Sequence, residues 1–212
     1  MKKYSFVYIG LLSLFLSSCI KEDDKTFSGE TVAEIDYTVL NSLAVGVTYP
    51  IITRYVDVAP FGGRAFVTDS DSTIRRLNNT TVRIRVNLVG PQSSKDETVA
   101  YTVFNTTSVT SVAFAVTKLR TAAVGTAGRQ EPDRAAATLN LVSGVANTHY
   151  AIPSTGFVTI PANSSFGYIN VGILNNNVAA TEARFVGIEL VTGGTIRPNP
   201  NYSKLGIAID QR

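Results

Sequence analysis

The chain has 212 residues, with 19 Lys and Arg against 16 Asp and Glu, and a formal net charge of +3. This length suits one domain with a sizeable core. Nucleic-acid binding needs a basic surface, whereas here the excess of positive charge is small and no cluster of Lys and Arg occurs. We therefore expect no nucleic-acid partner. Because there is a single cysteine, an intramolecular disulfide is excluded and the domain must be held together by packing.

Residues 1–18 have the pattern of a secretory signal peptide. Lys2 and Lys3 precede an uncharged, strongly apolar stretch that ends at Ser18, and charged residues follow from Lys21. A membrane-spanning helix needs ~20 apolar residues, and this stretch is shorter. A short apolar run after a basic start is typical of a cleaved export signal.

The end of this stretch, Leu16-Ser17-Ser18-Cys19, resembles the lipobox of bacterial lipoproteins. The resemblance implies cleavage before Cys19 and a diacylglycerol on its sulfur, because a thiolate is the nucleophile that accepts the lipid. Two or more acyl chains hold a protein stably, so Cys19 is the predicted lipidation site and the membrane anchor.

The residues after Cys19 predict a surface address. Lys21-Glu22-Asp23-Asp24 resembles the export tag of Bacteroidota-type surface lipoproteins, which implies an outer-membrane protein exposed at the cell surface. Residues 19–31 would then form a lipidated, charged tether, since the stretch is too polar to join a core.

Period-two alternation of apolar and polar residues dominates the rest of the chain and predicts strands. Residues 32–61 contain strand-like pieces that predict an extra N-terminal hairpin or a small subdomain. In residues 62–212 the clearest strand is 81–88, with Arg83 and Arg85 on its polar side. Six further short strands are predicted around residues 99–103, 112–116, 157–160, 169–173, 186–190 and 205–209.

Strands of this kind, bounded by Gly, Pro, Asn and Ser, predict an all-β fold. The expected architecture is an antiparallel, two-sheet immunoglobulin-like β-sandwich with a possible extra N-terminal hairpin. A closed barrel is the alternative. The predicted core includes apolar residues of the last three strands: Ile169, Val171, Ile188, Leu190 and Ile207.

The second half of the chain resembles a known sandwich family. The matching segments are His149-Tyr150, Val158-Thr159-Ile160-Pro161-Ala162, Val186-Gly187-Ile188-Glu189-Leu190 and Ile207-Ala208-Ile209-Asp210. They are similar to the Calx-beta-like pattern, which is also found in uncharacterised surface lipoproteins of the Bacteroidota type. The resemblance covers roughly residues 64–212 and implies the sandwich fold.

The calcium role of that family is not expected here. Calcium takes six to eight oxygen ligands with several converging carboxylates. His149 stands where the pattern prefers an acid, and only Asp210 matches an acidic position. We therefore expect no metal site and no cofactor.

Few residues could supply catalytic groups. His149 is the only histidine, and we interpret it as a surface turn residue rather than a base. Asp69 and Asp71 are the nearest carboxylate pair, and Asp-Ser-Asp-Ser is more typical of a loop than of a glycosidase site. The sequence therefore predicts that the protein is not an enzyme.

Two groups of side chains are candidates for binding. Arg83 and Arg85, with Arg75 and Arg76 nearby, could contact an anion or a glycan, but charges on an exposed strand also protect a sheet edge. Tyr101 and Tyr168 could stack on a sugar, although strand tyrosines usually pack against neighbours.

Binding sites on sandwiches commonly lie on end loops, which here are residues 91–98, 118–137 and 175–182. The second of these could instead begin a short helix at Glu131-Pro132-Asp133.

Taken together, the sequence predicts a non-catalytic surface lipoprotein that binds a partner protein or a glycan. An accessory role in an outer-membrane uptake complex fits that address. The alternative is a pilin-like subunit that assembles by strand donation, which would require cleavage near the N-terminus, for instance after Arg54 or Arg64.

Replacing the predicted lipidation site tests the anchoring hypothesis. The Cys19→Ala variant should accumulate as an unlipidated precursor and leave the lipid-anchored fraction, because no other residue can form the thioether. Fractionation and mass spectrometry of the N-terminal peptide would show this. Normal maturation and retention of the variant in the membrane would contradict the prediction.

Overall fold

The computed structural model describes residues 29–36, 47–55, 72–78, 80–114, 135–152 and 156–212. The described residues form an all-β fold. Its strands, numbered in chain order, are β1 (Val32–Ile35), β2 (Ile51–Ile52), β3 (Arg54–Tyr55), β4 (Ser72–Thr73), β5 (Thr81–Val89), β6 (Glu97–Phe104), β7 (Ser111–Phe114), β8 (Ala137–Ser143), β9 (Tyr150–Ala151), β10 (Phe157–Ile160), β11 (Phe166–Ile173), β12 (Ala183–Val191), β13 (Arg197–Pro198) and β14 (Lys204–Asp210). Two 3-10 turns, Arg76–Asn78 and Pro200–Tyr202, precede β5 and β14.

One sheet has the strand order β13-β1-β5-β11-β9, so β5 lies in its middle. The long β5–β11 pair is antiparallel, with Ile169 opposite Ile84 and Val171 opposite Val82. β1 pairs antiparallel with β5 on its other side, and β13 adds a short parallel edge. The burial of β5 alternates strictly along the strand, so one face of this sheet is packed and the other meets water.

The other sheet has the order β10-β6-β12-β14-β2, and β8 lies beside the first part of β12 with β7 paired to it. The long pairs β6–β12 and β12–β14 are antiparallel, whereas β8 and β2 join through short parallel pairs. The predicted two-sheet, all-β fold class is confirmed.

The main core takes apolar side chains from both sheets. The five residues predicted as core from their alternation are all at most 2% exposed. All five belong to the main core, so the predicted core-facing side of β11, β12 and β14 is confirmed.

A second hydrophobic cluster covers the opposite face of the β12–β14 pair, and the sequence analysis did not predict it. It contains Phe185 and Ala208 from that pair, with Phe114 and Leu139 from β7 and β8. Gly187 makes this packing possible, because a Cβ there would overlap the ring of Phe104. β8 was also missed, since the predicted strands skipped from residue 116 to residue 157.

The described strands near the N-terminus belong to both sheets. β1 lies beside β5, β2 lies beside β14, and β3 forms a small antiparallel pair with β4. The rest of the predicted hairpin or subdomain lies in residues 37–46 and 56–61, outside the described residues. The loop or helix predicted within residues 118–137 also lies there, apart from residues 135–137.

The predicted signal peptide and Cys19, the predicted lipidation site, lie outside the described residues. Within the part of the chain that the structure describes, no helix has the length and apolar character needed to cross a membrane.

Truncating a central core side chain should measure the strength of the packing. Ile188 is fully buried, with β6 and β14 on its two sides. Ile188→Ala should lower the free energy of unfolding by about 2–5 kcal/mol, because the cavity it leaves adds to the lost transfer energy. Chemical denaturation would measure it, with the exposed Val178→Ala as the control. A loss below about 0.5 kcal/mol, typical of surface sites, would contradict this packing.

Candidate functional site

Arg83 and Arg85 project from the solvent-facing side of β5, as the alternation predicted. Edge protection does not explain Arg85. β5 is hydrogen-bonded to β11 along Thr81–Asn87 and to β1 along Val86–Val89, and the Asp36 N–H donates to the Arg85 carbonyl, so the strand has no free edge at Arg85. This arginine needs another explanation, and the contacts of both arginines with β11 supply one.

Each guanidinium lies over an aromatic ring of the neighbouring strand β11. Arg83 Cζ is 4.0 Å from the ring centroid of Tyr168, and Arg85 Cζ is 4.2 Å from that of Phe166. Tyr168 lies directly opposite Arg85 in the register, so the contacts run diagonally across the strand pair. Both distances lie well within the ~6 Å range of cation–π attraction.

The two rings also contact each other, with centroids 5.6 Å apart and planes at 70°. Phe166 and Tyr168 are only half-buried, and Arg83 is exposed. We refer to Arg83, Arg85, Phe166 and Tyr168 as the guanidinium–aromatic face. It combines fixed positive charge with apolar surface, the two features that proteins concentrate at contact sites.

Two acidic residues flank this face: Glu34 lies on β1, and Asp36 directly follows that strand. Asp36 Oδ2 lies 3.8 Å from Arg85 Nε, and Glu34 accepts a hydrogen bond of 3.4 Å from Asn199 Nδ2. Arg85 Nε also donates to Asn87 Oδ1 at 2.7 Å. Across the outer side of the sheet, an acidic row on β1 is followed by a basic row on β5 and an aromatic row on β11.

Only part of this face was predicted from the sequence. The two arginines and Tyr168 were predicted as separate candidates, and Tyr168 was paired with Tyr101, which is buried in the core. Phe166 was missed. The available signal was parity: Phe166 and Tyr168 alternate with the core residues Ile169 and Val171, so their side chains face outward.

Arg75 and Arg76 do not join this face, contrary to the expectation that they lie near it. Both are buried, at 1% and 7% exposure. Arg76 donates through Nε to the Gln211 carbonyl and through Nη1 to Asn175 Oδ1, both at 2.7 Å. Arg75 forms a backbone bridge with Asp210. The two arginines therefore pack against the last residues of the chain.

His149 is buried, so its assignment as a surface residue is wrong, although it does occupy a turn. Its Nδ1 accepts a hydrogen bond of 3.0 Å from the backbone N–H of Val145. Burial and, to a smaller extent, the positive charge of Arg184 lower the pKa of His149 below its ordinary value. A neutral imidazole that closes its own turn is a structural group.

The candidate loops lie at opposite ends of the sandwich. Residues 91–96 follow β5, while residues 174–182 follow β11, which runs antiparallel to β5. In the first loop, Asp96 Oδ1 accepts from the backbone N–H of Ala162 at 2.8 Å. In the second, Glu182 forms an ion pair of 2.7 Å with Arg184 of β12. The two loops therefore cannot form one site, and residues 118–134 of the third lie outside the described residues.

The end of the sandwich that carries residues 174–182 has a shallow polar cavity of about 450 Å³. It is lined by Asn147, Thr148, Leu174, Asn175 and Asn176. Asn175 Oδ1 already accepts hydrogen bonds from Arg76 and from the backbone of Asn177. Because its side-chain oxygen is already used in these two hydrogen bonds, Asn175 is a structural residue at that end of the sandwich.

Among the described residues, no group of three His, Cys, Asp or Glu could hold a metal ion. Asp210, the acid that matches the Calx-beta-like pattern, is fully buried and pairs with Arg212 at 2.8 Å. Asp69 and Asp71 lie outside the described residues.

No protein-family model, curated protein or solved structure matches this chain.

The lowered pKa of His149 predicts a loss of stability on acidification. In the unfolded chain this histidine has its ordinary pKa of about 6.5, whereas in the folded protein its pKa is lower. Stability should therefore fall as the pH drops below about 6.5 and level off below the folded pKa. His149→Asn should lose less stability between neutral and mildly acidic pH, because an amide oxygen can accept the Val145 N–H without titrating.

Chemical denaturation of both proteins across that pH range gives the comparison. The carboxylates are common to both proteins, so they cancel in the difference. Parallel pH profiles for wild type and His149→Asn would contradict the prediction.

Proposed function

We propose that the mature chain is a non-catalytic lipoprotein, held in the outer membrane by lipid on Cys19, whose sandwich binds a partner protein or a glycan at the cell surface. Its Calx-beta-like character belongs to the same proposal. An uptake complex of the outer membrane is the setting in which such a binding module would act as an accessory.

The observation that carries the binding role is the guanidinium–aromatic face on the adjacent strands β5 and β11. Protein interfaces are enriched in Arg, Tyr and Phe relative to the rest of the surface. Trp is absent from this chain, so arginine and the smaller aromatic residues must supply any strong contact point. Arg83, Phe166 and Tyr168 supply such a group on one exposed sheet face.

The geometry also reduces the cost of binding. Arginine loses side-chain freedom when it docks on a ligand, and that loss opposes association. Here the stacking over Tyr168 and Phe166 already restricts both guanidinium groups. The face is therefore partly organised before a partner arrives.

Substitution of both arginines tests the proposal. Full-length lipidated chain, wild type or Arg83→Ala/Arg85→Ala, would be incubated with native outer membranes and cross-linked, and the captured protein or glycan identified by mass spectrometry. The double variant should retain about a tenth or less of the wild-type capture, since each lost charged contact weakens binding several-fold.

Arg197→Ala is the matched control, because Arg197 is another exposed arginine of the same sheet and pairs with Glu30. Its capture should stay at the wild-type level, and all three proteins should melt at similar temperatures. Equal capture by wild type and the double variant would overturn the role of this face. Chain cleaved after Arg54 or Arg64 in a polymer would favour the strand-donation alternative instead.

A further inference from the structure

We infer that the shallow polar cavity at the end of the sandwich binds a neutral saccharide through its N-acetyl groups. We refer to this cavity, which is lined by Asn147, Thr148, Leu174, Asn175 and Asn176, as the amide cavity. The inference goes beyond the proposed function, because the cavity shares no residue with the guanidinium–aromatic face. It is carried by side-chain amides whose oxygens are used inside the protein, so that their N–H groups are what a ligand meets.

The amides of Asn175 and Asn176 are each held in one orientation. Asn175 Oδ1 accepts hydrogen bonds from Arg76 Nη1 at 2.7 Å and from the backbone N–H of Asn177 at 2.9 Å. Asn176 Oδ1 accepts from the backbone N–H of Val178 at 3.1 Å. Flipping either amide would place donor against donor, so its oxygen must stay on this side. Each amide therefore offers a ligand its Nδ2 group, which carries two N–H donors and donates to no other described residue.

The rest of the lining comes from the turn that presents Asn147 and Thr148. Asn147 has a φ of 60°, a left-handed conformation that asparagine tolerates, and its backbone N–H donates to the Tyr150 carbonyl at 2.8 Å. The Leu174 N–H donates to the His149 carbonyl at 3.0 Å, so the two segments that line the cavity are joined through their backbones. Because this backbone is fixed before a ligand arrives, less entropy is lost on binding.

The composition of the lining favours a neutral ligand that is rich in hydrogen-bond acceptors. None of the lining residues is charged, and Arg76, which donates to Asn175, is buried and also donates to the Gln211 carbonyl. An acetamido carbonyl is the strongest acceptor that a neutral sugar carries, and its oxygen can accept two N–H groups. The cavity volume of about 450 Å³ lies within the range of small-molecule sites.

A protein segment fits the amide cavity less well. Peptide ligands gain affinity from pockets for apolar side chains or from backbone pairing with a free strand edge. Leu174 is the one apolar residue of the lining, and it is half-buried. Next to the cavity, the end of β11 pairs with β9 through Gly172 and Ile173 on one side and with the start of β5 on the other, so it has no free edge there.

Titration with defined trisaccharides tests the inference. The full chain would be titrated with trimers of N-acetylglucosamine, glucose and galacturonate, and amide NMR shifts of residues 145–150 and 174–178 would report the dissociation constants. The N-acetylglucosamine trimer should bind with a dissociation constant of about 1 mM, since a shallow site with few hydrogen bonds gives weak affinity. The glucose trimer should bind about fivefold more weakly, because hydroxyl oxygens are poorer acceptors. The galacturonate trimer should give no saturable shift.

Asn175→Asp and Asn176→Asp separate the N–H groups from the structural role of the amides. A carboxylate keeps the oxygen that accepts the internal hydrogen bonds, but it has no Nδ2 donor. Each variant should melt at a temperature similar to that of wild type and bind the N-acetylglucosamine trimer about fivefold more weakly.

Two further variants make the comparison decisive. Asn147→Gly removes another amide without backbone strain, since glycine readily adopts its φ of 60°, and it should also weaken binding. Asn201→Asp is the matched control for the added charge. Asn201 is exposed and lies just before β14, at the opposite end of the sandwich from the amide cavity, so this variant should bind as wild type.

Several outcomes would overturn the inference. They are no saturable shift with the N-acetylglucosamine trimer up to about 50 mM, equal or tighter binding of either other trimer, and wild-type binding by the folded Asp and Gly variants of the cavity. The proposed function is tested separately, because Arg83→Ala/Arg85→Ala should bind the trimer as wild type. If the trimer does not bind but that double variant still loses its membrane partner, only the saccharide inference falls.

Discussion

Burial of the β12–β14 pair on both faces is the constraint on which the rest of the structure depends. One face contributes Ile188 and Ile207 to the main core, and the other contributes Phe185 and Ala208 to the second cluster. The second layer includes the ring of Phe104, which lies opposite Gly187 on the neighbouring strand β6 and occupies the place that a Cβ of residue 187 would take. These two strands are therefore shielded on both sides, and both of their faces are committed to packing.

The five-stranded sheet is in the opposite position. Only its inner face is packed, and the strict alternation of β5 leaves Arg83 and Arg85 in water. A half-solvated sheet has a polar outer face, and that face is available for contacts that stability does not require. The guanidinium–aromatic face lies there because it is the broad side of the sandwich that no other described segment covers.

Charge is also buried in this molecule, and its placement shows what holds the end of the sandwich together. Asp210 is fully buried with Arg212 as its partner, while Arg76 donates to the Gln211 carbonyl and to Asn175. An unpaired buried charge would be strongly destabilising, whereas pairing and hydrogen bonding offset much of the desolvation. These contacts join the segment before β5, the end of β11 and the end of β14. The loop at residues 174–182 is thereby attached to a rigid framework.

The sequence by itself determined the strands whose alternation is strong, because side-chain parity is a local property of an extended chain. It therefore predicted β5, β10 and β14, the two-sheet class and the core side of Ile188. Only the tertiary structure decided which strands are neighbours, since that depends on contacts between residues far apart in the chain. The order of the strands placed β5 in the middle of its sheet and brought Phe166 and Tyr168 beside Arg83 and Arg85. It also turned Arg76 and His149 inward, because a polar residue looks the same in sequence whether its hydrogen-bond partner is water or a distant backbone group.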